Sequence, residues 1–185
     1  LGHEASGKII NMHNNIKNLK INDKIIISWI KNNYSDCEKI FYLNGKKKVN
    51  AGYANTFSNY AIVSKNRCFK KPKILSMSNA ALYGCAVPTG FGMVSSLKLK
   101  KNSKVLLTGF GGIGFFVYLA LKSKGIKNIV IIDKNHHKLM IARKLGLKNT
   151  FNNIDSKKLE KIFKTKADYC FETTGSAEMI SKSFK

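Results

Sequence analysis

Six residues in the second half of the chain, GFGGIG, have the composition of a loop that binds phosphate groups. Gly109, Gly111 and Gly114 form the pattern G-x-G-x-x-G, and Gly112 is a fourth glycine within it. Gly109 permits a tight turn, Gly111 lets a pyrophosphate approach the backbone, and Gly114 lets helix and strand pack closely. Free N–H groups at the start of the following helix would then hold the pyrophosphate. The pattern therefore predicts a dinucleotide site.

A carboxylate follows this loop at an informative distance. The next apolar run, NIVII, leads into Asp133, which lies 19 residues after Gly114, close to the usual spacing of about 20. A carboxylate at this point accepts hydrogen bonds from the adenosine ribose hydroxyls and repels a 2′-phosphate, which favours NAD over NADP. A simpler interpretation is that Asp133 only caps the helix predicted at 136–145.

Two further pieces of sequence, LGHEASG and GCAVPTGFG, are informative only together. A lone histidine such as His3 is usually just a polar residue at a strand start, and a lone cysteine such as Cys85 is usually a small core residue. Ahead of a predicted dinucleotide fold, the two pieces resemble the zinc-containing medium-chain dehydrogenases of the alcohol dehydrogenase superfamily.

The resemblance covers nearly the whole chain through short motifs whose order and spacing carry it. They are the GHE-x-x-G opening (Gly2, His3, Glu4, Gly7), a strand after Asn22 and Asp23, an aromatic pair (Phe57, Tyr60), Gly84 and Cys85 with Thr89 and Gly90, the GFGGIG loop, Asp133 with Lys138, ARKLG at 142–146 and FETTG at 171–175. No single motif among them would be sufficient.

For the matched residues of the first half, the resemblance implies a metal site. His3 and Cys85 would be two of the three protein ligands of a catalytic Zn²⁺, the Cys2His set known for alcohol dehydrogenase. Glu4 would be a carboxylate near the metal that tunes it or exchanges onto it as a ligand. Two donors on one tetrahedral zinc lie roughly 3.6 Å apart, so the side chains of His3 and Cys85 should meet.

For the second half, the resemblance implies contacts with the cofactor. Thr89 and Ile113 would pack against the nicotinamide ring, and Thr89 would lie beside the reacting atoms. Lys138 would contact the adenosine ribose, and Thr174 would line the adenine pocket. These roles come from the likeness and not from spacing.

Parts of the family pattern are missing from the sequence. The first cysteine ligand and the hydroxyl that starts the proton relay lie upstream of the GHE motif in this family, and further strands follow FETTG. We therefore expect a fragment that lacks both ends and is inactive by itself. Many members also carry a four-cysteine structural zinc lobe, but only Cys37 remains between Trp29 and Gly52. A structural zinc is not expected.

The arrangement of apolar and turn-forming residues predicts two domains. Beyond residue 104, strands at 105–108, 128–132, near 150 and at 168–171 alternate with helices at 113–124, 136–145 and 155–164. Such alternation indicates a parallel sheet with crossover helices. The first half contains strand candidates at 5–12, 24–30 and 59–63, then a helix-like segment at 76–99 interrupted by Pro88.

The predicted fold class is therefore α/β, with a doubly wound parallel Rossmann-type sheet preceded by a partial β-rich GroES-like catalytic domain. Residues 1–86 would form the partial GroES-like zinc-binding domain. Residues 87–185 would form the partial Rossmann dinucleotide-binding domain.

Composition narrows the setting in which the protein works. The chain has 33 Lys and Arg residues against 10 Asp and Glu, a net charge of +23, but nearly all of the positive charge is Lys and is spread along the sequence. Lys, Asn and Ile rise together in AT-rich coding DNA, and no aromatic and Arg platform for bases is visible, so we expect no specific nucleic-acid partner. No apolar run approaches the length of a membrane span, so no membrane partner is expected.

Cysteine usage and the opening residues bear on the compartment. The four cysteines at 37, 68, 85 and 170 include no CxxC pair, which argues for a reducing compartment. Cys68 and Cys170 are interpreted as small buried hydrophobes. Because the opening LGHEASG has no leader-like character, we expect a cytoplasmic protein.

The most specific function that these observations support is a zinc-dependent oxidoreductase that transfers a hydride between an alcohol or polyol and NAD. A zinc-free quinone or enoyl reductase of the same superfamily is the nearest alternative, and a non-catalytic dinucleotide-binding remnant is the second. The complete protein is expected to be a homo-oligomer.

Overall fold

The computed structural model describes residues 2–31 and 40–183. Cys37 and most of the turn-prone segment KNNYSD lie outside these residues. The chain divides into two compact units, Leu1–Pro88 and Thr89–Lys185. The sequence analysis placed the change of domain after residue 86, and the roles that it assigned to the two domains stay predictions.

The first unit is built on antiparallel strands. Strands β1 (Ala5–Lys8), β2 (Lys24–Ile27) and β5 (Cys68–Lys70) form one sheet in the order β1-β2-β5, and β3 (Ile40–Asn44) pairs with β4 (Lys47–Gly52) in a hairpin. The turn-prone LNGKKK provides the hairpin turn, where Gly45 has a φ of 59°. The isoleucines of β2 are buried, and Ile25 and Ile27 pack with Ala54 in a small core.

One strand predicted in this unit is wrong. Residues 59–63 have irregular backbone, and the third strand of the sheet forms later, where Cys68 pairs with Ile27. The run is apolar from Tyr60 to Val63, yet Tyr60 and Ile62 are 74% and 65% exposed. Phe57, the other member of the proposed aromatic pair, is also exposed. An apolar run does not form a strand without a face to bury, since packing and burial are what favour strands.

The predicted interruption of the helical segment is displaced from Pro88. Helix α1 (Met77–Ala81) is followed by a 3₁₀ turn at Leu82–Gly84, and α2 (Ala86–Ser95) begins after Cys85. Pro88 is the third residue of α2, where the backbone N–H has no intrahelical partner, so its ring is tolerated. The break at Cys85 instead follows from backbone angles (φ −149°, ψ −64°) that no helix contains.

The second unit contains the predicted parallel sheet. Its strands β6 (Val105–Thr108), β7 (Ile129–Ile132), β8 (Thr150–Phe151) and β9 (Tyr169–Glu172) lie in the order β8-β7-β6-β9. All four residues of β6 and of β7 are buried, as expected for the central strands of a sheet with two covered faces. The α/β fold class is confirmed, and the predicted strands of this half differ from the observed ones only at their ends.

Helices cover both faces of this sheet, which makes it doubly wound. Val105 and Leu107 pack in one apolar cluster with residues of α2, α3 (Gly112–Ser123) and α4 (His136–Lys144). Leu106 packs in a second cluster with residues of α5 (Ser156–Phe163) and α6 (Ala177–Ser183). The alternation follows from the period of two in a strand. In the described ranges, no helix is long and apolar enough to span a membrane.

Candidate dinucleotide and metal sites

The glycine loop connects β6 to α3, and two of its glycines are required by their surroundings. Gly109 has a φ of +88°, and a Cβ there would lie 2.6 Å from Thr173 Oγ1. A Cβ on Gly114 would lie 2.0 Å from the carbonyl oxygen of Gly109. The space at Gly112 is open, and Gly111 is the N-cap of α3. The loop therefore presents the N-terminal N–H groups of a helix in the manner expected of a phosphate site.

Asp133 directly follows β7 and is bound to the glycine loop. Its Oδ2 accepts a hydrogen bond from the Phe110 N–H (2.7 Å), and its Oδ1 accepts one from the Asn135 N–H (2.8 Å). The residue is 7% exposed. Asn135, not Asp133, caps α4, because its side chain accepts from the N–H groups of His137 and Lys138. The simpler interpretation of Asp133 as the helix cap is therefore excluded.

Lys138 brings a positive charge to the same place. Its Nζ lies 3.6 Å from Asp133 Oδ2, and it is the nearest atom to the position of a Cβ on Gly111, at 3.8 Å. Lys138 is therefore next to both the carboxylate predicted to bind ribose and the glycine predicted to face pyrophosphate. An ammonium group in this position would attract a phosphate.

The loop lies where the strand order of the sheet reverses. The chain passes from β6 through β7 to β8 on one side, and then returns to place β9 on the other side of β6. In the parallel register, Thr108 pairs with Ile132 and with Glu172. Gly109, Asp133 and Thr173 therefore follow their strands side by side at the carboxyl end of the sheet. Open parallel sheets bind ligands in the crevice at such a switch point.

Three residues are predicted to contact the cofactor, and two of them, Thr174 and Ile113, lie at this carboxyl end of the strands. Thr174 follows β9, and both its N–H and its hydroxyl donate to Glu172 Oε1. Ile113, the second residue of α3, is 38% exposed although it is apolar. Thr89 lies in α2, next to Gly90, and is half-buried. Their contacts with adenine or nicotinamide stay predictions.

Thr173 is a residue of this site that the sequence analysis missed. Its hydroxyl is 3.0 Å from the carbonyl oxygens of both Thr108 and Gly109, so it fastens the end of β9 to the start of the loop. Nothing local distinguishes it from Thr174 beside it in FETTG. The parallel pairing of β6 and β9 would have been needed to find it.

The predicted metal-site residues lie in the first unit, and a hydrogen bond joins the two segments that carry them. Glu4 Oε1 accepts from the Ala86 N–H at 2.9 Å. His3 precedes one partner of this bond and Cys85 precedes the other. His3 is exposed, whereas Glu4 and Cys85 are half-buried.

Gly84 explains how the segment before Cys85 approaches β2. Its carbonyl oxygen accepts from the Trp29 N–H (3.1 Å) and from Ser28 Oγ (2.8 Å). A Cβ on Gly84 would lie only 2.2 Å from the carbonyl oxygen of Ile27, so only glycine fits this crossing. The pair Gly84 and Cys85 was recognised in the sequence only by its resemblance to the family motif. Its close packing against Ile27 explains why residue 84 is a glycine.

The described residues contain no group of three or more His, Cys, Asp or Glu side chains that could hold a metal ion. The ligand set of His3, Cys85 and Glu4 therefore stays a prediction. The donor chemistry of the two candidate ligands, an imidazole and a thiol, suits Zn²⁺. A cavity of about 1290 Å³ in this unit is lined by residues such as Ile9, Ile25 and Val63, and the three predicted ligands are not part of its lining.

The other two described cysteines differ from each other. Burial raises the pKa of the Cys68 thiol to about 11, in keeping with a small core residue. Cys170 is exposed, so its interpretation as a buried hydrophobe is wrong. Alternate residues of β9 point to opposite faces of the sheet, and Cys170 is on the less covered one.

Two family models match the chain, one in each half. The model described as "Alcohol dehydrogenase GroES-like domain" matches residues 1–73, and the model described as "Zinc-binding dehydrogenase" matches residues 112–185. The first range includes His3 and Glu4. The second includes Asp133 and all of α3.

Individual relatives agree with these matches. "Alcohol dehydrogenase-like 7" of Arabidopsis thaliana is 24% identical over 218 aligned positions, which cover 100% of this chain and 56% of the relative. The structure of benzyl alcohol dehydrogenase from Acinetobacter calcoaceticus superposes with a TM-score of 0.82 at 23% identity, covering 99% of this chain and 57% of that one. For 2R,3R-butanediol dehydrogenase from Bacillus subtilis the TM-score is 0.74 at 24% identity, with 99% and 54% covered.

The chain thus spans about half the length of the relatives that it matches. The structural likeness establishes the fold, and each of the two units contains the range that one family model matches, with residues 74–111 outside both ranges. These findings agree with the motifs read from the sequence. The chain belongs to the alcohol dehydrogenase superfamily of medium-chain dehydrogenases and reductases.

Proposed function

We propose that the whole protein is a zinc-dependent oxidoreductase that transfers a hydride between an alcohol or polyol and NAD. The observation that carries the cofactor half of this proposal is the bond from the Phe110 N–H to Asp133 Oδ2. It fixes an anionic carboxylate against the glycine loop at the switch point of the sheet. A carboxylate has about four acceptor sites, so Asp133 can still accept from ribose hydroxyls.

Each residue around the loop has a task in holding the dinucleotide. The N–H groups at the start of α3, from Gly111 through Ile113, would bind the pyrophosphate. Asp133 would bind the adenosine ribose and repel a 2′-phosphate, which favours NAD. Lys138 balances the carboxylate at 3.6 Å and would contact the same ribose.

The metal half of the proposal concerns the first unit. His3 and Cys85 would hold the catalytic Zn²⁺, with the remaining ligand supplied from outside these 185 residues. When bound, zinc supplies Lewis-acid chemistry that lowers the pKa of an alcohol hydroxyl. Glu4 would keep the two ligand segments together through its bond to the Ala86 N–H. Relatives named for benzyl alcohol and for butanediol support an alcohol as substrate class without selecting one.

The zinc proposal can be tested on the full-length protein. We expect about one catalytic zinc per protomer, and NADH formation that requires an alcohol and is lost on removal of the metal by a chelator. Cys85→Ala should lose both zinc and activity, because truncating one ligand opens the site. Cys68→Ala is the matched control, since Cys68 is a half-buried thiol in β5 that is not among the predicted ligands.

Two outcomes would contradict the proposal in different ways. Reduction of a quinone or an enoyl substrate by a Cys85→Ala variant would identify a zinc-free reductase. Binding of NAD without turnover of any alcohol, in a protein that contains zinc, would identify a non-catalytic binding protein.

A further inference from the structure

Four side chains of the first unit form a continuous stack, which we call the Trp29–Arg67 stack (His3, Trp29, Tyr53, Arg67). The ring centroids of His3 and Trp29 are 5.4 Å apart, with the rings tilted by 53°. The guanidinium carbon of Arg67 lies 5.5 Å from the Trp29 centroid and 5.3 Å from the Tyr53 centroid. The proposed function assigns no role to Trp29, Tyr53 or Arg67.

The guanidinium in this stack is buried and holds the Trp29 residue at two points. Arg67 is 6% exposed, its Nη1 donates to the carbonyl oxygen of Trp29, and its guanidinium carbon lies over the Trp29 ring. Its own backbone carbonyl accepts from the Ser28 N–H at 2.8 Å. A cation–π contact is strengthened when the cation is removed from water, as it is here.

Trp29 connects both segments that carry the proposed zinc ligands. Its ring contacts the His3 ring, and its backbone N–H donates to the carbonyl oxygen of Gly84, the residue before Cys85. Trp29 is nevertheless 50% exposed. The orientation of its ring therefore depends on the contacts made at its buried side, and Arg67 provides a charged one.

The type of cation is informative in this chain. Among 33 basic residues only Arg67 and Arg143 are arginines. Arg143 makes two hydrogen bonds to Thr150, through Nε to the hydroxyl and Nη2 to the carbonyl oxygen. Both arginines thus use a planar guanidinium for contacts that a lysine ammonium cannot reproduce.

We propose that Arg67 is a positioning residue for the metal ligand His3, acting through the ring of Trp29. The inference rests on the proposed role of His3 as a zinc ligand. Arg67 orients the Trp29 ring, and that ring restricts the rotation of the His3 imidazole. A nitrogen of the imidazole is then oriented before zinc binds, so that zinc binding costs less side-chain entropy. Groups that orient a metal ligand typically change metal affinity by about 10- to 100-fold.

The test uses the full-length protein and two readouts, one without metal. In metal-free protein carrying ¹³C-labelled histidine, the His3 ring signal is assigned with His3→Ala, and its ring-current shift reports the contact with Trp29. Arg67→Met should reduce this shift. In the second readout, zinc affinity measured by competition with a chelator should fall about 10-fold in Arg67→Met. Arg67→Lys should recover less than half of either effect, because it retains the charge and loses the plane.

Arg143→Met is the matched control. It removes the chain's other arginine, which lies in the second unit, and should leave both readouts unchanged. An Arg67→Met protein that is folded and shows an unchanged His3 shift, or a zinc affinity within about twofold of the parent, overturns the proposal. If Arg67→Met does not fold, Tyr53→Leu loosens the guanidinium from its other side and must produce the same changes. A parent protein that binds no zinc refutes the proposed function, whereas the metal-free shift still decides whether Arg67 orients His3.

Discussion

The carboxylate of Asp133 has a structural task as well as the proposed one in cofactor choice. Both of its oxygens accept from backbone N–H groups, one from the loop after β6 and one from the segment after β7. The side chain therefore fastens two strand ends together before any ligand binds. Removing the Asp133 side chain abolishes both its negative charge and its hydrogen bonds to the loop. Two variants that differ in the hydrogen bonds they retain are needed to separate these effects.

We predict that Asp133→Asn and Asp133→Gly both narrow the preference for NAD over NADP, because each removes the charge that repels a 2′-phosphate. Their stabilities should differ. The asparagine retains one acceptor oxygen, so a single backbone N–H loses its partner, at a cost of about 1–3 kcal/mol. The glycine leaves both N–H groups without an acceptor and should cost more. Values of kcat/KM with the two cofactors and urea unfolding measure these effects; a parent protein that prefers NADP would refute the assignment.

The identity of this residue could be predicted from the sequence, but its bonds could not. The strand before Asp133 and its spacing from Gly114 are visible in the sequence. The bond to Phe110 joins residues 23 positions apart and depends on the parallel register of β6 and β7. For the same reason the sequence left open whether Asp133 only caps α4, and the structure shows that Asn135 is the cap.

Cys68 allows a prediction about pH. Burial disfavours the thiolate and raises the pKa of the Cys68 thiol to about 11 in the folded chain, whereas the unfolded thiol titrates near its ordinary value of 9.0. The folded state therefore binds more protons between these values, and the stability from this group is complete below pH 9 and lost as pH rises towards 11. Relative to Cys68→Ala, the parent should lose on the order of 2 kcal/mol across this range. Urea unfolding at several pH values measures it, and parallel curves for the two proteins would contradict it.

At the scale of elements, glycines decide how closely the segments can pack. A Cβ on Gly90 in α2 would lie 2.6 Å from the Cβ of Phe116 and 2.8 Å from the Val117 nitrogen in α3. The neighbouring Gly92 has open space around it. Gly90 was recognised in the sequence through its motif, and helical segments were predicted at 76–99 and at 113–124. It could not predict that α2 and α3 touch at this residue, because contact between helices depends on how each is oriented on the sheet.

This pair of glycines gives a matched prediction. Gly90→Ala should destabilise the protein by about 1–3 kcal/mol, since backbone atoms of α3 must move to accept the methyl group. Gly92→Ala should be stabilising by up to about 1 kcal/mol, because alanine is the better helix former and meets nothing. Thermal or urea unfolding of the two variants measures the difference. Equal effects of the two substitutions would show that α2 does not pack against α3 at Gly90.

The α/β architecture was the most predictable part of the structure, and the first unit was the least. In the second unit, β6 and β7 are short buried runs bounded by glycines and polar residues, so that sequence and structure agree closely. In the first unit, the strands are three to six residues long and are positioned by contacts between distant segments, such as Gly84 against Ile27. The segment at 59–63 is apolar like a buried strand but pairs with no strand among the described residues.

At the scale of the whole molecule, the net charge of +23 is the feature that neither unit explains. Only a few lysines have a defined ionic partner in the described ranges, such as Lys138 with Asp133 and Lys70 with Asp23. Repulsion among the others opposes the compact state and is screened by salt over about 8–10 Å at physiological ionic strength. A charge of this kind should therefore affect stability and weak association more than specific recognition.

We predict that the charge has no sequence-selective nucleic-acid partner. Duplexes of unrelated sequence should bind weakly and equally at low ionic strength, with an affinity that falls steeply as salt is raised, because release of counterions from the phosphates drives such binding. In parallel, the midpoint of thermal unfolding should rise with added salt as repulsion is screened. Replacing Lys46, Lys47 and Lys48 with glutamine, or replacing Lys70, Lys71 and Lys73, should weaken the association to a similar extent, since neither cluster forms a defined site. Filter binding across a salt series measures these affinities. Tight binding at physiological salt that distinguishes one sequence from another, and that depends on one lysine cluster alone, would show instead that the charge forms a nucleic-acid site.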